Sequence, residues 1–424
     1  MEWIRQKIVS SEFLIKHRFS DKDFMRNRKL SFSTVMMLLI QKSMKSLQLK
    51  LNEFVTRFVA SATTITASAF SQARLKLQPE AFKELSDGVL SFVYSDQSHK
   101  TFYGFEIIAV DASTLRLPDS ETIRMNFPAL VIQNQHQQDY YYAGQFIGLY
   151  DCLNRTALHA ALNPDQTYEV KAFHNLLNSF DASFLTNPLY IQDRGYASYA
   201  NMDFLMNACC HFVIRLPRQF LKETQFMFKD NAPQETMVFL KKSRASRDAK
   251  QAGIMIRLVR VILDNGEIEV LATNVSSAVI PAKAFKKLYH LRWGIETFFL
   301  ILKDRLNLEN FTGTSLIAVL QDVWATLFLS NLESLLTSDL NIQLQNKETK
   351  NSQRINQSVS FHTIKDKAFD LLLSQIPIET VLETLTKLFL MNPHHYRNNR
   401  NRSRTQRSAR RALNHQKYKK KMVY

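Results

Sequence analysis

The segment Tyr289-His-Leu-Arg-Trp-Gly-Ile-Glu-Thr-Phe-Phe-Leu-Ile-Leu-Lys303 is a largely apolar run in which four polar side chains recur at helical spacing. As one α-helix at about 100° per residue, it places Tyr289, Arg292, Glu296 and Lys303 within about 60° of arc. A helix that is apolar on its other faces is a buried helix, so this polar stripe is expected to line an interior site. The alternative is an internal ion pair between Arg292 and Glu296 at i,i+4.

Two apolar strands are each predicted to end in an aspartate upstream of that helix. They are Phe105-Glu-Ile-Ile-Ala-Val-Asp111 and Pro188-Leu-Tyr-Ile-Gln-Asp193, and the second turns at Gly195 into a predicted helix. Strands of this kind present carboxylates where a sheet ends, and Glu296 would supply a third from its helix. Taken alone, Asp111 could instead cap a helix or form a turn.

Three carboxylates with little nitrogen or sulfur nearby suit Mg²⁺ or Mn²⁺ rather than zinc. Two such ions, roughly 3.5–4 Å apart, can activate a water or a 3′-hydroxyl and stabilise the leaving oxygen in phosphoryl transfer. The pattern therefore indicates chemistry on phosphate esters.

The charge indicates a polyanionic partner, because the 424-residue chain carries a formal net charge of +17 and has a pI near 9.7. From Arg397 to Lys421 there are 11 Lys or Arg and no acid. This stretch is predicted to be an arm that contacts phosphates, the alternative being a merely solvated tail. Without a signal-peptide pattern or an apolar run of about 18 residues, the chain is expected to be intracellular and to have no membrane partner.

Helical regions are predicted on both sides of the strands. Residues 31–59 and 66–76 read as helices, and the second could place Gln72, Arg74 and Lys76 in a DNA major groove, although many small helical domains share this pattern. Helices at 322–340 and 362–390 follow the signature segment, separated by a polar linker at 341–358. They could support dimerisation or simply pack a core.

The motifs Val110-Asp111-Ala-Ser-Thr and Asp193-Arg-Gly-Tyr196, together with the Tyr-x2-Arg-x3-Glu-x6-Lys signature, resemble the bacterial insertion-sequence DDE transposases of the Tyr-Arg-Glu-Lys (YREK) group. The resemblance covers about residues 30–310. It implies an α/β protein with a ribonuclease H-like catalytic core and a β-rich insertion, flanked by helical N- and C-terminal regions. The corresponding domains are a DNA-binding region at 1–100, a catalytic domain at 101–320 with the insertion at about 211–275, a helical region at 321–393 and a basic tail at 394–424.

The resemblance also implies roles for single residues. Asp111, Asp193 and Glu296 would be the catalytic residues and would hold two Mg²⁺ (or Mn²⁺) ions. The remaining members of the signature would bind DNA near the cleaved end, Arg292 and Lys303 through phosphates and Tyr289 through the backbone.

The implied reaction cuts the ends of the insertion sequence to leave a 3′-OH, which then attacks target DNA. The implied partners are double-stranded DNA, as terminal inverted repeats and target, and a second copy of the chain in a homodimer. The expected location is the bacterial cytoplasm, at the nucleoid.

One feature departs from the relatives that form a DNA hairpin, because their insertion carries a tryptophan that holds a flipped base. Here the tryptophans are Trp3, Trp293 and Trp324, all outside 211–275, and Phe239 is a conceivable substitute. Two other functions stay open: a two-metal nuclease that never joins strands, and a catalytically silent DNA-binding protein that represses its element.

Overall fold

The structure is a computed structural model that describes residues 1–26, 28–42, 46–58, 64–95, 98–133, 138–164, 167–242, 250–349 and 351–396. From residue 397 onward, the predicted basic tail therefore lies outside the described residues. The chain divides into two compact units. The helical unit comprises Met1–Val89, Leu117–Asn126 and Leu302–Tyr424, and the sheet unit comprises Leu90–Arg116 and Phe127–Ile301.

The elements of the described residues follow in chain order. The helices are α1 (Glu2–Val9), α2 (Ser11–His17), α3 (Phe32–Ile40), α4 (Leu47–Phe58), α5 (Ala67–Arg74), α6 (Glu80–Tyr94), α7 (Glu121–Asn126), α8 (Glu169–Asn178), α9 (Tyr199–Asn207), α10 (Lys222–Met227), α11 (Phe285–His290), α12 (Trp293–Leu300), α13 (Leu316–Gln345), α14 (Gln357–Leu372) and α15 (Ile378–Met391). The strands are β1 (Glu106–Leu117), β2 (Ala129–Gln133), β3 (Gln138–Asp151), β4 (Thr156–Pro164), β5 (Pro188–Gln192), β6 (His211–Arg215), β7 (Glu235–Lys241), β8 (Gly253–Ile262), β9 (Ile268–Thr273), β10 (Ser352–Arg354) and β11 (His394–Tyr396).

One mixed sheet organises the sheet unit, with the strand order β2-β3-β1-β5-β6-β9-β8-β7 and with β4 also paired to β3. Strands β1, β5 and β6 run parallel, while β3 and β4 form an antiparallel hairpin, closed at Asp151↔Thr156. His211–Arg215, assigned to the insertion from the sequence, pairs in parallel with β5 and so continues the central sheet. Strands β7, β8 and β9 then extend that sheet by antiparallel pairing.

Helices α8 and α9 cover the parallel strands with apolar side chains. Phe173 on α8, Met202 on α9 and Tyr190 and Phe212 on the strands are all fully buried in one hydrophobic cluster. Burial of each large side chain contributes about 1.5–3 kcal/mol, so this cluster fixes the helices on the sheet. The carboxyl ends of β1 and β5 are thereby held in one place.

Strand β1 is longer than the sequence predicted. It was expected to end at Asp111, but it continues to Leu117, and Leu115 and Leu117 are buried. Alternation of these leucines with polar residues sustains the extended conformation beyond the aspartate. Asp111 therefore lies within β1, at the point where the strand changes from fully buried to half-buried.

Helix α13 forms the centre of the helical unit. Its buried residues lie on almost every face, and Ser315 caps its first turn by accepting a hydrogen bond from the Ala318 amide. By length and composition α13 could span a membrane, but most of its apolar window is buried inside the unit, as expected of a core helix. The predicted 362–390 helix is two helices, α14 and α15, because the chain turns out of helical conformation before Pro377.

Two arginines join distant parts of the helical unit. The Arg5 guanidinium donates to the main-chain oxygens of Asp370, Leu371 and Ile376 at 2.7–2.9 Å, at the carboxyl end of α14. Arg74 on α5 is buried and lies 3.1 Å from the Asp322 carboxylate on α13. The prediction that Arg74 contacts DNA bases is therefore wrong, because its guanidinium is buried inside the unit and paired with Asp322.

Candidate active site

The parallel register of β1 and β5 places two aspartates side by side. Ala109 pairs with Ile191, so the same register two residues further sets Asp111 opposite Asp193. Neighbouring strands are about 4.8 Å apart, and both aspartates lie two residues beyond paired residues on the same side of the sheet. Asp193 Oδ1 also accepts a hydrogen bond from the Gly195 amide at 2.8 Å, which fixes its orientation.

Glu169, the first residue of α8, faces Asp193 across Gly195. A Cβ atom at Gly195 would lie 3.0 Å from Asp193 Oδ1 and 3.6 Å from Glu169 Oε2. The absence of a side chain at Gly195 thus leaves room for both carboxylates. Tyr196 is fully buried beneath them, and its hydroxyl has no hydrogen-bond partner among the described residues.

Charge accumulates at this point of the sheet. Burial raises the pKa of Asp111 to about 7; the Ala112 amide and Arg292 oppose that shift, while Asp193 and Glu169 add to it. Burial and the charge of Asp193 also raise the pKa of Glu169. The ionised forms of Asp111 and Glu169 are therefore disfavoured at this point unless a cation is bound.

The signature segment is not the single α-helix that its spacing predicts. Helix α11 ends at His290, and α12 begins at Trp293. Between them the chain keeps right-handed helical dihedrals but forms tighter i→i−3 hydrogen bonds, such as Ile295 N to Arg292 O at 3.2 Å. A π-helical turn, Ile301–Arg305, follows α12.

Arg292 connects the sheet to α12. Its guanidinium is buried, lies 2.6 Å from Glu296 Oε1 and approaches Asp111 Oδ2 at 3.9 Å. Burial alone would lower the pKa of Arg292, but the hydrogen bond to Glu296 and the nearby negative charge raise it. The predicted Arg292–Glu296 ion pair is present, and it also brings Glu296 towards Asp111.

Packing against β3 holds α12 in position. The Phe298 ring stacks on Tyr150, with ring centroids 4.5 Å apart. Gly294 allows a close approach as well, since a Cβ there would lie 3.2 Å from Cys152 Sγ. Both contacts lie close in sequence to Glu296 and fix its helix on the sheet.

The two remaining signature residues occupy different environments. Tyr289 is buried, and its hydroxyl donates to the main-chain oxygen of Gln192 at 3.3 Å, next to Asp193. Lys303 lies in the π-helical turn and belongs to the helical unit. Burial lowers the pKa of the Lys303 ammonium group, and Glu309 and Asp304 oppose this.

Among the described residues, no three Asp, Glu, His or Cys side chains already converge as a metal site. The donor chemistry nevertheless fits a divalent cation, because carboxylate oxygens are the ligands that Mg²⁺ and Mn²⁺ prefer. The raised pKa values of Asp111 and Glu169 and the unpartnered Tyr196 hydroxyl all mark a centre that lacks positive charge.

Glu169 was not singled out from the sequence. It lies in an ordinary helix start, Tyr168-Glu-Val, where an acid is favoured by the helix dipole alone. Only the packing of α8 near Gly195 shows that its carboxylate faces Asp193. Tyr196 belongs to the quoted Asp193-Arg-Gly-Tyr196 motif, which was the one available signal for it.

Acidic side chains on adjacent parallel strands, with another acid on a later helix packed against the same sheet, define a DDE-type catalytic domain. The family model described as "Transposase DDE domain" matches residues 103–332, and the chain belongs to this family. No curated protein matches the chain.

Among solved structures, the chain is similar to one described as the Mos1 mariner paired end complex with Mn. The sequence identity is 13%, the match covers 51% of this chain and 66% of the other, just under two thirds of its length, and the TM-score is 0.18. Family membership rests on the domain match.

The predicted fold class is confirmed. The chain has a mixed α/β, ribonuclease H-like core: the hairpin β3–β4 adjoins β1, which is followed by the parallel strands β5 and β6, and helices flank the sheet in sequence.

Proposed function

We propose that this protein cleaves the ends of its own insertion sequence and joins the resulting 3′-OH to target DNA. The observation that supports this most is the parallel register of β1 and β5, which brings Asp111 and Asp193 to neighbouring positions, together with Arg292, which lies between Asp111 and Glu296. In a transposase domain, these are the acids that would hold two Mg²⁺ or Mn²⁺ ions.

Each residue has a distinct part in this proposal. Asp111, Asp193 and Glu296 would hold the metal ions, which would supply positive charge to the attacking and leaving oxygens. Arg292 keeps the acids together in the free protein. On DNA, its guanidinium can also contact a phosphate beside the cleaved bond.

Lys303 and Tyr289 are proposed to bind the DNA end. Lys303 would contact phosphates. DNA contact by Tyr289 requires its hydroxyl to leave the Gln192 carbonyl, or a contact made through the rim of the ring. In the free protein Tyr289 instead supports the end of β5.

The partners we propose are double-stranded DNA, as terminal inverted repeats and target, and a second copy of the chain. Two ends must be cut and joined together, which a homodimer on the paired ends would accomplish. Such a complex would act in the bacterial cytoplasm, at the nucleoid. The YREK group remains the subgroup that the signature residues favour.

The test uses purified protein, Mg²⁺ or Mn²⁺, and labelled DNA that includes the sequence flanking the gene. Asp193→Asn is run alongside, with Asp181→Asn as a matched control, because Asp181 is an exposed acid of the sheet unit. We expect defined-end cleavage and joining by the wild type and the control, and neither by Asp193→Asn.

The two alternatives give different outcomes in the same assay. Cleavage without joining would favour a two-metal nuclease. Specific DNA binding without cleavage in any of the proteins would favour a silent repressor.

A further inference from the structure

A cavity of about 640 Å³ lies in the helical unit, and none of the catalytic or DNA-binding residues assigned above lines it. Its walls come from the end of α3 and the residues after it, from α4 and α14, and from the chain that follows the π-helical turn. The lining residues that carry charge are Lys42, Lys50, Glu53, Arg57, Asp304, Arg305, Lys365 and Asp366. With His362 neutral, five cations face three acids.

Among the described residues, three of these five cations form no ion pair with a carboxylate: Lys50, Lys365 and Arg305, the last of which donates to the Ser358 hydroxyl instead. Arg57 lies 3.3 Å from Asp366, and Lys42 lies 3.9 Å from Asp322. The Lys50 ammonium group instead donates to the main-chain oxygen of Leu38 at 2.8 Å. In the part of the chain that the structure describes, neither Lys50 nor Lys365 forms an ion pair with a carboxylate.

The positive charges of these lysines also repel one another, which disfavours their protonated forms. Burial lowers the pKa of Lys50 to about 7, and Lys365 and Lys42 add to this shift. Burial likewise lowers the pKa of Lys42 and of Lys365 to about 8. Buried ammonium groups without counter-charges destabilise a fold, so Lys50 and Lys365, which have no carboxylate partner among the described residues, need a compensating role beside Lys42, which Asp322 partly balances.

The simplest structural explanation is that these lysines only extend their alkyl chains along apolar surface towards water. The floor of the cavity does include the buried rings of Phe54 and Phe361. That explanation suits a single lysine, but it does not explain why three lysines lie close enough to lower one another's pKa. It also gives no reason for polar groups such as Asn307 and Ser358 at the same rim.

We propose that this cavity binds a phosphate group through Lys50, Lys365 and Lys42. A phosphate carries enough charge to balance the unpaired ammonium groups and enough oxygens to accept from several of them. The volume exceeds that of one phosphate and admits a nucleotide. The group could belong to a DNA strand or to a free nucleotide. The proposal goes beyond the proposed function, since it uses none of the catalytic carboxylates.

The test compares the full-length wild type with Lys50→Met and Lys365→Met, which keep the side-chain length and remove the charge. Lys367→Met is the matched control, because Lys367 lies on α14 but pairs with Asp370 at 3.4 Å. Thermal unfolding is measured with inorganic phosphate or ATP, against chloride at equal ionic strength. We expect both ligands to raise the midpoint of wild type and control, and this rise to be lost in the cavity variants.

Without ligand, each cavity variant should be at least as stable as the wild type, because a buried unpaired charge is gone. If the lysines served only to stabilise the fold, each cavity variant should be less stable than the wild type. Loss of stability in both cavity variants, or no response of the wild type to phosphate or ATP, would overturn the proposal.

Binding of a fluorescent DNA duplex identifies the source of the phosphate. If it is a DNA strand, each cavity variant should reduce the slope of log affinity against log salt by about 1, and ATP should compete with DNA. If it is a free nucleotide, the DNA slope should stay constant while the ATP response is lost. Either result supports phosphate binding in the cavity, and neither depends on whether the protein cleaves DNA.

Discussion

In the candidate site, burial and neighbouring charges have a large effect on the pKa of Asp111. Its folded-state pKa of about 7 lies above the ordinary value of 3.8. Between those pH values the folded protein binds more protons than the unfolded chain, so the free energy of unfolding falls as pH rises from about 4 to 7. Above pH 7 the ionised carboxylate is a continuing cost to stability in the metal-free protein.

Asp111→Asn should therefore raise the midpoint of thermal unfolding at pH 8 in the presence of a chelator, while abolishing DNA cleavage. At pH 4 the gain should disappear, because the carboxyl group is protonated in the folded protein. Midpoints measured across this pH range, with the exposed-acid variant Asp181→Asn as control, test the prediction. A variant less stable than the wild type at pH 8 would contradict it.

Glu169 tests whether the charge at Gly195 belongs to the metal site. Glu169→Gln keeps the shape of the side chain and removes its charge beside Asp193. We expect it to weaken Mn²⁺ binding by about tenfold, the usual scale for a supporting group at a metal site. Mn²⁺ titration followed by electron paramagnetic resonance measures this. Glu223→Gln, at an exposed position of α10, should bind as the wild type does; equal affinity in both variants would place Glu169 outside the site.

Among the elements, α13 depends most on a single ion pair. Asp322 accepts from Arg74 and from the amide and hydroxyl of Thr312. Asp322→Asn would leave the buried guanidinium without its counter-charge, and we expect a loss of about 3–5 kcal/mol in the free energy of unfolding. Urea unfolding measures it.

The control is the exposed pair of Arg124 and Asp119, at 2.7 Å. Asp119→Asn should change the free energy of unfolding by less than about 1 kcal/mol, since solvent screens that pair. Similar losses in the two variants would mean that Arg74 finds another partner.

The elements also show how far sequence reasoning extends. The hairpin β3–β4, the strand before Asp193 and the cap at Thr66 follow from local patterns, and the structure has them. The break between α11 and α12 does not, because tight and ordinary helical hydrogen bonds suit the same side chains there. The approach of Glu169 to Asp193 and of Arg74 to Asp322 depends on tertiary packing, which residue spacing does not encode.

At the scale of the whole molecule, charge is distributed unevenly. The 11 Lys and Arg from Arg397 to Lys421 lie outside the described residues and supply 11 of the 17 net charges. Truncation after Pro393 should weaken non-specific DNA binding and flatten its dependence on salt, since fewer counterions are released. Affinity for a random-sequence duplex, measured from low to moderate salt, tests this; an unchanged slope would show that the tail does not bind phosphates.

The strand order is the feature of the whole molecule that is hardest to predict from the sequence. The pairing of β1 with β5 joins residues about 80 positions apart, and β6 was assigned to the insertion because a five-residue apolar run gives no pairing partner. The family resemblance supplied the ribonuclease H-like core that periodicity alone left open. Long-range pairing is where local patterns carry least information.

The contacts of Arg5 and Arg74 bear on how the protein is made. The first helices of the chain depend on α13 and α14, which are synthesised much later. During translation the apolar surface of α3 therefore remains exposed to chaperones and proteases until its partner helices have been synthesised. A premature stop codon before α14 would yield a nascent chain that cannot close this unit. Incomplete translation products are thus expected to be degraded rather than to compete with the full-length protein for DNA.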